Sequence, residues 1–401
     1  MINFLPAPLG EIASVVRGVT FSRTEAAAQP IAGFLPVLRA GNIKDSLVLD
    51  NDLIYVSRDK IKDRQILRQG DIVICTSSGS SEVVGKTALA EEDWEGSFGA
   101  FCAGIRANPN KCDPSYLFYY LRSPAFRSWT QKSAGANIKN IRKSELDLFE
   151  IPLPSLPEQR RIAGILEKAH GIRRKREQAL VMADELLKSA FMEKFGDPVA
   201  NPKGWPIVAL GDGIEEVRYG TSMKCTDDSD GALPVLRIPN IAGGGVIWDD
   251  LKFASLSDKE VDKLRMQKDD IIFVRTNGNP EYIARCAVYE SDREALFASY
   301  LIRVRLGRRS RFIPRYIWMA LSVPSYRRVL LRETKTTAGN YNISGSGLKS
   351  LKVPKPPLSA QREFDHLYRR FSVSIVNMVV ELADAETLCG SLSQRAFRGE
   401  L

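Results

Sequence analysis

Histidine, paired cysteine and long apolar runs are all scarce in this sequence, and each shortage removes a class of function. Only His170 and His366 occur in 401 residues. Neither stands in an H-E-x-x-H motif, and no G-x-S-x-G elbow is present, so zinc-hydrolase and serine-hydrolase chemistry have no foothold. An N-P-P-[FY] tetrad is also missing. The six cysteines at 75, 102, 112, 225, 286 and 389 form no C-x-x-C pair. That scatter fits free thiols in a reducing cytoplasm rather than a disulfide frame or a zinc site. No apolar run approaches the roughly 18 residues of a membrane span. The start, "MINFLPAPLGEI", lacks the basic flank and long apolar stretch of a signal peptide. The expectation is a cytoplasmic protein with no membrane segment, no metal and no cofactor.

What is abundant is positive charge. Lysine and arginine number 57 against 48 acidic residues, a formal net charge of +9. Such a surplus attracts polyanions, and nucleic acid is the commonest of them.

The sequence is also written twice. "LPVLRAGNI" at 35–43 returns as "LPVLRIPNI" at 233–241, and "DIVICTSSGSSE" at 71–82 as "DIIFVRTNGNPE" at 270–281. "DPSYLFYYLRSPAFR" at 113–127 returns as "IPRYIWMALSVPSYR" at 313–327, and "AGANI" at 134–138 as "AGNYNI" at 338–343. Finally "IPLPSLPEQRRIAGIL" at 151–166 is echoed by "VPKPPLSAQREFDHLY" at 353–368. Five segments in one order indicate two copies of a unit of about two hundred residues.

Each copy reads as a globule followed by a long helix. The globule mixes short β-rich runs, such as "DIVICT" and "DIIFVRT", with a helix starting at Asp113-Pro114, where proline suits the first turn. After the proline segment the spacing changes. Apolar residues at Ile165, Ala169, Ile172, Ala179, Ala183, Leu187 and Ala190 follow three-and-four steps, the mark of a heptad seam. The second copy repeats it with Phe364, Leu367, Phe371, Ile375, Met378, Leu382, Ala385, Cys389 and Leu392. A helix this long exposes its seam unless it has a partner, and the other copy is the simplest partner. An antiparallel pair lets each globule follow the same joint; a parallel pair, or burial against another subunit, stays open. The expected fold class is α+β: two similar mixed α/β globules joined by two long antiparallel coiled-coil helices with an internal pseudo-twofold repeat. The expected boundaries are a first globule at 1–153, a first helix at 154–200, a second globule at 201–355 and a second helix at 356–401.

Catalytic chemistry finds no duplicated centre. "GSSEVVGKT" at 79–87 approaches a phosphate-binding loop, but five residues rather than four separate Gly79 from Gly85. Its counterpart "GNPEYIARC" has no Gly-Lys at all. The basic run "RRKR" at 173–176 lies on the long helix and reads as a solvated face. What is duplicated is polar loop chemistry. Thr76, Ser77, Ser78, Ser80 and Lys86 in the first copy match Arg275, Thr276, Asn277, Asn279 and Arg285 in the second. A second matched loop carries Asn137 and Lys139, then Tyr341 and Asn342. Hydroxyls, amides and cations of this kind donate to phosphates, and Asn or Arg can pair bidentately with base edges. All fourteen are candidate DNA contacts.

Two tandem globules, each followed by a long helix begun through "PLPSLPEQRRI", resemble the specificity subunit of type I restriction–modification enzymes. The resemblance covers the whole chain; "LPEQRRIAGIL", with Gln159 and Arg160, and the loop "GDIVICTSSGSSEVVGK" carry it most specifically. It implies two target-recognition domains, each reading one half of a split site in double-stranded DNA. It implies further that the helices form an antiparallel spacer docking two methyltransferase subunits, that a restriction (motor–nuclease) subunit joins the assembly, and that this chain has no catalytic centre. The helix residues it points to are Gln159, Arg160, Ile162 and Ile165 in the first copy and Gln361, Arg362, Phe364 and Leu367 in the second. The second copy departs from the pattern, since "LSAQREF" keeps Gln361 and Arg362 but loses Pro-Glu. The competing reading is a non-catalytic protein-interaction scaffold with two binding modules on a coiled-coil arm.

Overall fold

The computed structural model describes residues 4–80, 82–133, 139–242, 244–337 and 339–401. The chain forms two compact units. One comprises Met1–Gln178 with Val379–Leu401, and the other Ala179–Met378. In the first unit a four-stranded antiparallel sheet runs in the order Ala13–Arg17, Cys102–Ala107, Ile72–Cys75, Thr87–Leu89. In the second the order is Ile214–Tyr219, Leu301–Leu306, Ile271–Val274, Cys286–Val288. The duplicated runs "IVIC" and "IIFV" occupy the same interior place in both sheets, and all eight residues are buried. A strand covered on both faces has no reason to alternate apolar with polar residues.

The same aspartate holds the start of that strand in each unit. Arg106 grips Asp71 through two hydrogen bonds of 2.7 and 2.6 Å, and Arg305 grips Asp270 through two of 2.7 and 2.8 Å. Each aspartate also accepts a backbone N–H, from Arg68 at 2.9 Å and Gln267 at 2.7 Å. The second unit adds Arg303, fully buried and paired with Glu216.

The proline segments become a joint. Pro6–Pro8 pairs with Glu150–Pro152 in the first unit, and Ile207–Ala209 with Lys352–Pro354 in the second. The helix that follows is locked by a fully buried glutamine. Gln159 accepts the N–H of Asp113 at 2.8 Å and donates to the carbonyls of Lys111 and Pro154 at 3.1 and 2.8 Å. Gln361 repeats all three bonds with Ile313, Arg311 and Pro356 at 2.9, 3.0 and 2.8 Å. A tyrosine closes each joint from the globule side, Tyr116 on the Pro152 carbonyl and Tyr316 on that of Pro354.

The two long helices, Leu156–Phe195 and Leu358–Phe397, have 40 residues each, about 60 Å at 1.5 Å per residue. They pack antiparallel. Within the first unit the beginning of one lies against the end of the other: Ile162, Ala163 and Leu166 share a core with Leu392 and Ala396, and Arg161 donates to the Leu401 carbonyl at 2.8 Å. Within the second unit the order reverses, and Phe191 and Phe195 meet Phe364 at ring distances of 5.3 and 5.8 Å.

The seam differs in detail from the heptad reading. Ala169, Ala183, Leu187, Ala385 and Cys389 are buried as expected, but Ile172 is 48% exposed. Ile162, Leu166, Phe191 and Phe195 carry the burial instead. Near its ends each helix faces both its globule and the other helix, so the buried face is broader than a two-stranded seam. The basic run is not a solvated face throughout either. Arg173 is only 16% exposed and pairs with Asp45 and Glu177. A second pair of arms fixes Asp45, since Arg122 also binds it.

Candidate nucleic-acid interface

Both polar loops of each globule converge on one place, joined by a short antiparallel ribbon. In the first unit Ser77 and Ser78 pair with Asn140 and Lys139. In the second, Thr276 and Asn277 pair with Asn342 and Tyr341, and Lys335–Thr337 adds a third strand. The ribbon grows directly from the buried central strand. Residue 76 donates its N–H to the Phe101 carbonyl at 2.9 Å and receives Ile141 N–H at 2.8 Å. Residue 275 does the same with Tyr300 at 2.9 Å and Ile343 at 2.9 Å. A rigid sheet thus positions a polar tip, which is the usual division of labour in binding sites.

The fourteen candidate contacts do not stand alike. Ser80, Lys86, Asn279 and Arg285 are exposed, while Ser77, Ser78, Thr276, Asn277, Tyr341, Asn342 and Arg275 are half-buried. Thr76 is buried, its hydroxyl donated to the Phe101 carbonyl at 3.1 Å. Asn277 and Asn279 shape the tip, their side-chain oxygens accepting the N–H groups of Asn279 and Glu281 at 2.8 and 2.9 Å. Those bonds use only the oxygens, so neither spends the amide N–H₂ donors. Arg285 stacks over Tyr282 at 4.0 Å. Asn137 lies outside the described residues, and of Lys139 only the strand position is described.

Sequence reasoning missed the residues that hold the loops. Arg127 donates to the carbonyls of Val84 and Glu82, both at 3.2 Å. Arg327, its counterpart, donates to Pro280, Glu281 and Ile283 at 3.4, 3.3 and 2.8 Å. These pins touch backbone only, so loop side chains can diverge without loosening the loop. The signal was present, since both copies of the helical segment end in arginine. The turn they hold carries a left-handed residue in each copy, Gly85 at φ +80° and Ala284 at φ 54°. At Gly85 a Cβ would lie 2.7 Å from Thr130 Cγ2, so glycine is needed there; the second unit accepts alanine. Matched cavities of about 380 Å³ lie beside each pin, bordered by Lys86 and Arg127 in one unit and by Arg285 and Arg327 in the other. Phe101, 68% exposed at the root of the first ribbon, was also unforeseen.

The helix residues fall into two kinds. Gln159, Ile162, Gln361 and Phe364 are buried within their own units and present nothing to a partner, because their contacts are internal. Ile165 and Leu367 are half-buried, and Arg160 and Arg362 are exposed. Apolar side chains are nevertheless open elsewhere on the helices. The first unit exposes Ile172, Val379, Val380 and Leu388, and the second Val181, Met182, Leu186, Val373 and Val376.

Burial pushes the Cys102 and Cys286 thiols up to about 12, and Cys75 rises for the same reason. His170 stacks on Tyr119 at 5.2 Å. Burial, aided by the charges of Arg122, Arg173 and Arg174, lowers its pKa to about 4. It is a neutral packing group near pH 7. Among the described residues no cluster of three or more His, Cys, Asp or Glu is placed to hold a metal, and no helix is long and apolar enough to cross a membrane.

Comparison with known proteins gives a consistent result. Residues 3–180 match the family model of the type I restriction modification DNA specificity domain. The type I restriction enzyme EcoKI specificity subunit of Escherichia coli (strain K12) is 31% identical over 417 residues, covering 98% of this chain and 88% of the relative. The StySPI specificity subunit of Salmonella potsdam is 30% identical over 413 residues, with the same coverage of 98% and 88%. Among solved structures, the S subunit of a type I restriction–modification system from M. genitalium has a TM-score of 0.60 at 16% identity, over 99% of this chain and 96% of that one. It shows the likeness of fold.

Proposed function

The chain belongs to the type I restriction–modification specificity-subunit family, and from that premise we propose that it reads a bipartite site in double-stranded DNA, one half-site per unit. The observation that carries this is the duplicated ribbon. Two polar loops far apart in sequence meet on the same sheet position in each unit. Their backbone bonds match, while their side chains differ at three tip positions, Ser77, Ser78 and Ser80 against Thr276, Asn277 and Asn279, around a shared glycine at 79 and 278. A common scaffold with divergent donors and acceptors is what reading two different sequences requires. The +9 charge supplies the sequence-independent attraction to phosphate.

In the same proposal the long helices connect the readers and dock two methyltransferase subunits, and a restriction subunit joins that assembly. The apolar side chains left open on the helices support this, since Met182 with Leu186 and Val373 with Val376 stand three or four residues apart on one helix face and form stripes rather than scattered singles. Catalysis belongs to those partners; this chain contributes recognition.

The test is a loop exchange. Replacing residues 76–86 by the 275–285 segment, in the complex with its methyltransferase subunits, should alter one half-site in a methylation map. A change in both half-sites, or in neither, refutes the assignment of one unit to one half-site.

A further inference from the structure

The two ribbons differ most at their roots, where backbone bonding is the same and the side chain is not. Thr76 and Arg275 occupy matched positions, yet Thr76 turns its hydroxyl into the backbone. Arg275 instead lays its guanidinium over the Tyr219 ring, 4.8 Å from the centroid. One nitrogen, Nη1, donates to the Ser299 carbonyl at 3.1 Å. The ring beneath is itself held, because Tyr219 Oη accepts the N–H of Gly345 at 2.8 Å. The group is therefore braced from below and from one edge.

It borders an open groove of about 800 Å³ shared with Lys335, Asn340, Asn342 and Ser344. Glu333 borders the same groove. A guanidinium has five N–H donors in one plane, and a single contact to Ser299 leaves the opposite edge of the fork for a ligand. Holding a long side chain in one pose also removes the entropy that binding would otherwise cost. A planar, braced, two-pronged donor matches the O6 and N7 acceptors of guanine in the major groove. A phosphate can take the same fork, so the dependence on base sequence is what separates the two.

We infer that Arg275 is the guanine-reading residue of the second unit, and that the first unit makes no such contact at its matched position, Thr76. This rests on the reading of the ribbons as DNA contacts.

The experiment uses the complex with its methyltransferase subunits and compares methylation maps and duplex binding for the unaltered chain, Arg275→Lys, Arg275→Ala and Tyr219→Leu. The unaltered chain should require a G·C pair at one fixed position of one half-site. Arg275→Lys keeps the charge but loses the fork, and should relax that position alone by about 5- to 150-fold, the worth of one bidentate pair. Arg275→Ala should do the same, and Tyr219→Leu should relax the same position more weakly. Retained methylation at the other positions shows that the variants are folded. Uniform weakening over all sequences, with the salt dependence falling by about one phosphate contact, overturns the inference in favour of backbone binding. So does an unchanged map. If the exchange of 76–86 also leaves both half-sites unchanged, the ribbon reading itself has failed; if the exchange succeeds, only the guanine assignment falls.

Discussion

Replacing Gln361 by methionine removes the three hydrogen bonds of a fully buried amide at once and leaves nearly the same volume. The orphaned groups are the N–H of Ile313 and the carbonyls of Arg311 and Pro356. The Pro356 carbonyl is left fully buried and the other two groups partly so. At about 1–1.5 kcal/mol for each bond, the loss is about 3–5 kcal/mol. In a unit of about 200 residues, each kcal/mol lowers the midpoint by about 2–4 °C, so the second unit's transition should fall by about 10 °C. Gln361→Glu separates the two roles of the amide. It can still accept from Ile313 but turns an oxygen towards both carbonyls, and should be at least as damaging. Calorimetry reads the midpoint, and amide exchange reads the joint directly: Ile313 N–H should lose protection while Asp113 N–H, in the intact twin joint of the first unit, keeps it. A midpoint shift below about 3 °C, or an unchanged Ile313 exchange rate, would refute the claim that this glutamine holds globule to helix.

Asp71→Asn breaks a bidentate pair that is nearly buried and should lower the first unit's transition by about 3 kcal/mol, with the second unit's transition unmoved in the same calorimetric trace. Arg327→Met frees three loop carbonyls and should weaken binding to the second unit's half-site about tenfold, leaving the other half-site unchanged in competition binding. The pH response of the first unit should have two windows. His170 is depressed from 6.5 to about 4, so the folded form resists a proton that the unfolded chain accepts, and stability falls as pH drops from about 6.5 towards 4. The partly open ring limits this to about 1–2 kcal/mol, and His170→Gln should flatten that window in a stability–pH profile. For Asp45, burial opposes ionisation but the hydrogen bonds from Arg173 and Arg122 outweigh it and hold the carboxyl at about 2. Its contribution is complete above its ordinary 3.8 and is lost only as pH falls towards 2, a step that Asp45→Asn should abolish.

The repeat, the two long helices and the mixed character of the globules were legible in the chain because they are local or periodic. A heptad spacing, a buried run such as "IVIC" and a proline before a helix each act on neighbouring residues, and their copies can be aligned by eye. Polar loop tips were legible for the same reason, as Ser, Asn and Gly clusters after a strand. Contacts between distant segments were not. Nothing in residues 77–78 announces pairing with 139–140, nor does Gln159 announce that it will serve the backbone at 111, 113 and 154. Arg275 looked like one more cation in a basic loop until Tyr219 and Ser299, 56 and 24 residues away in sequence, were found to brace it. Arg173 looked solvated until Asp45 appeared beside it. A side chain's role depends on what shares its surroundings, and those neighbours are chosen by how the sheet, the joint and the helices pack.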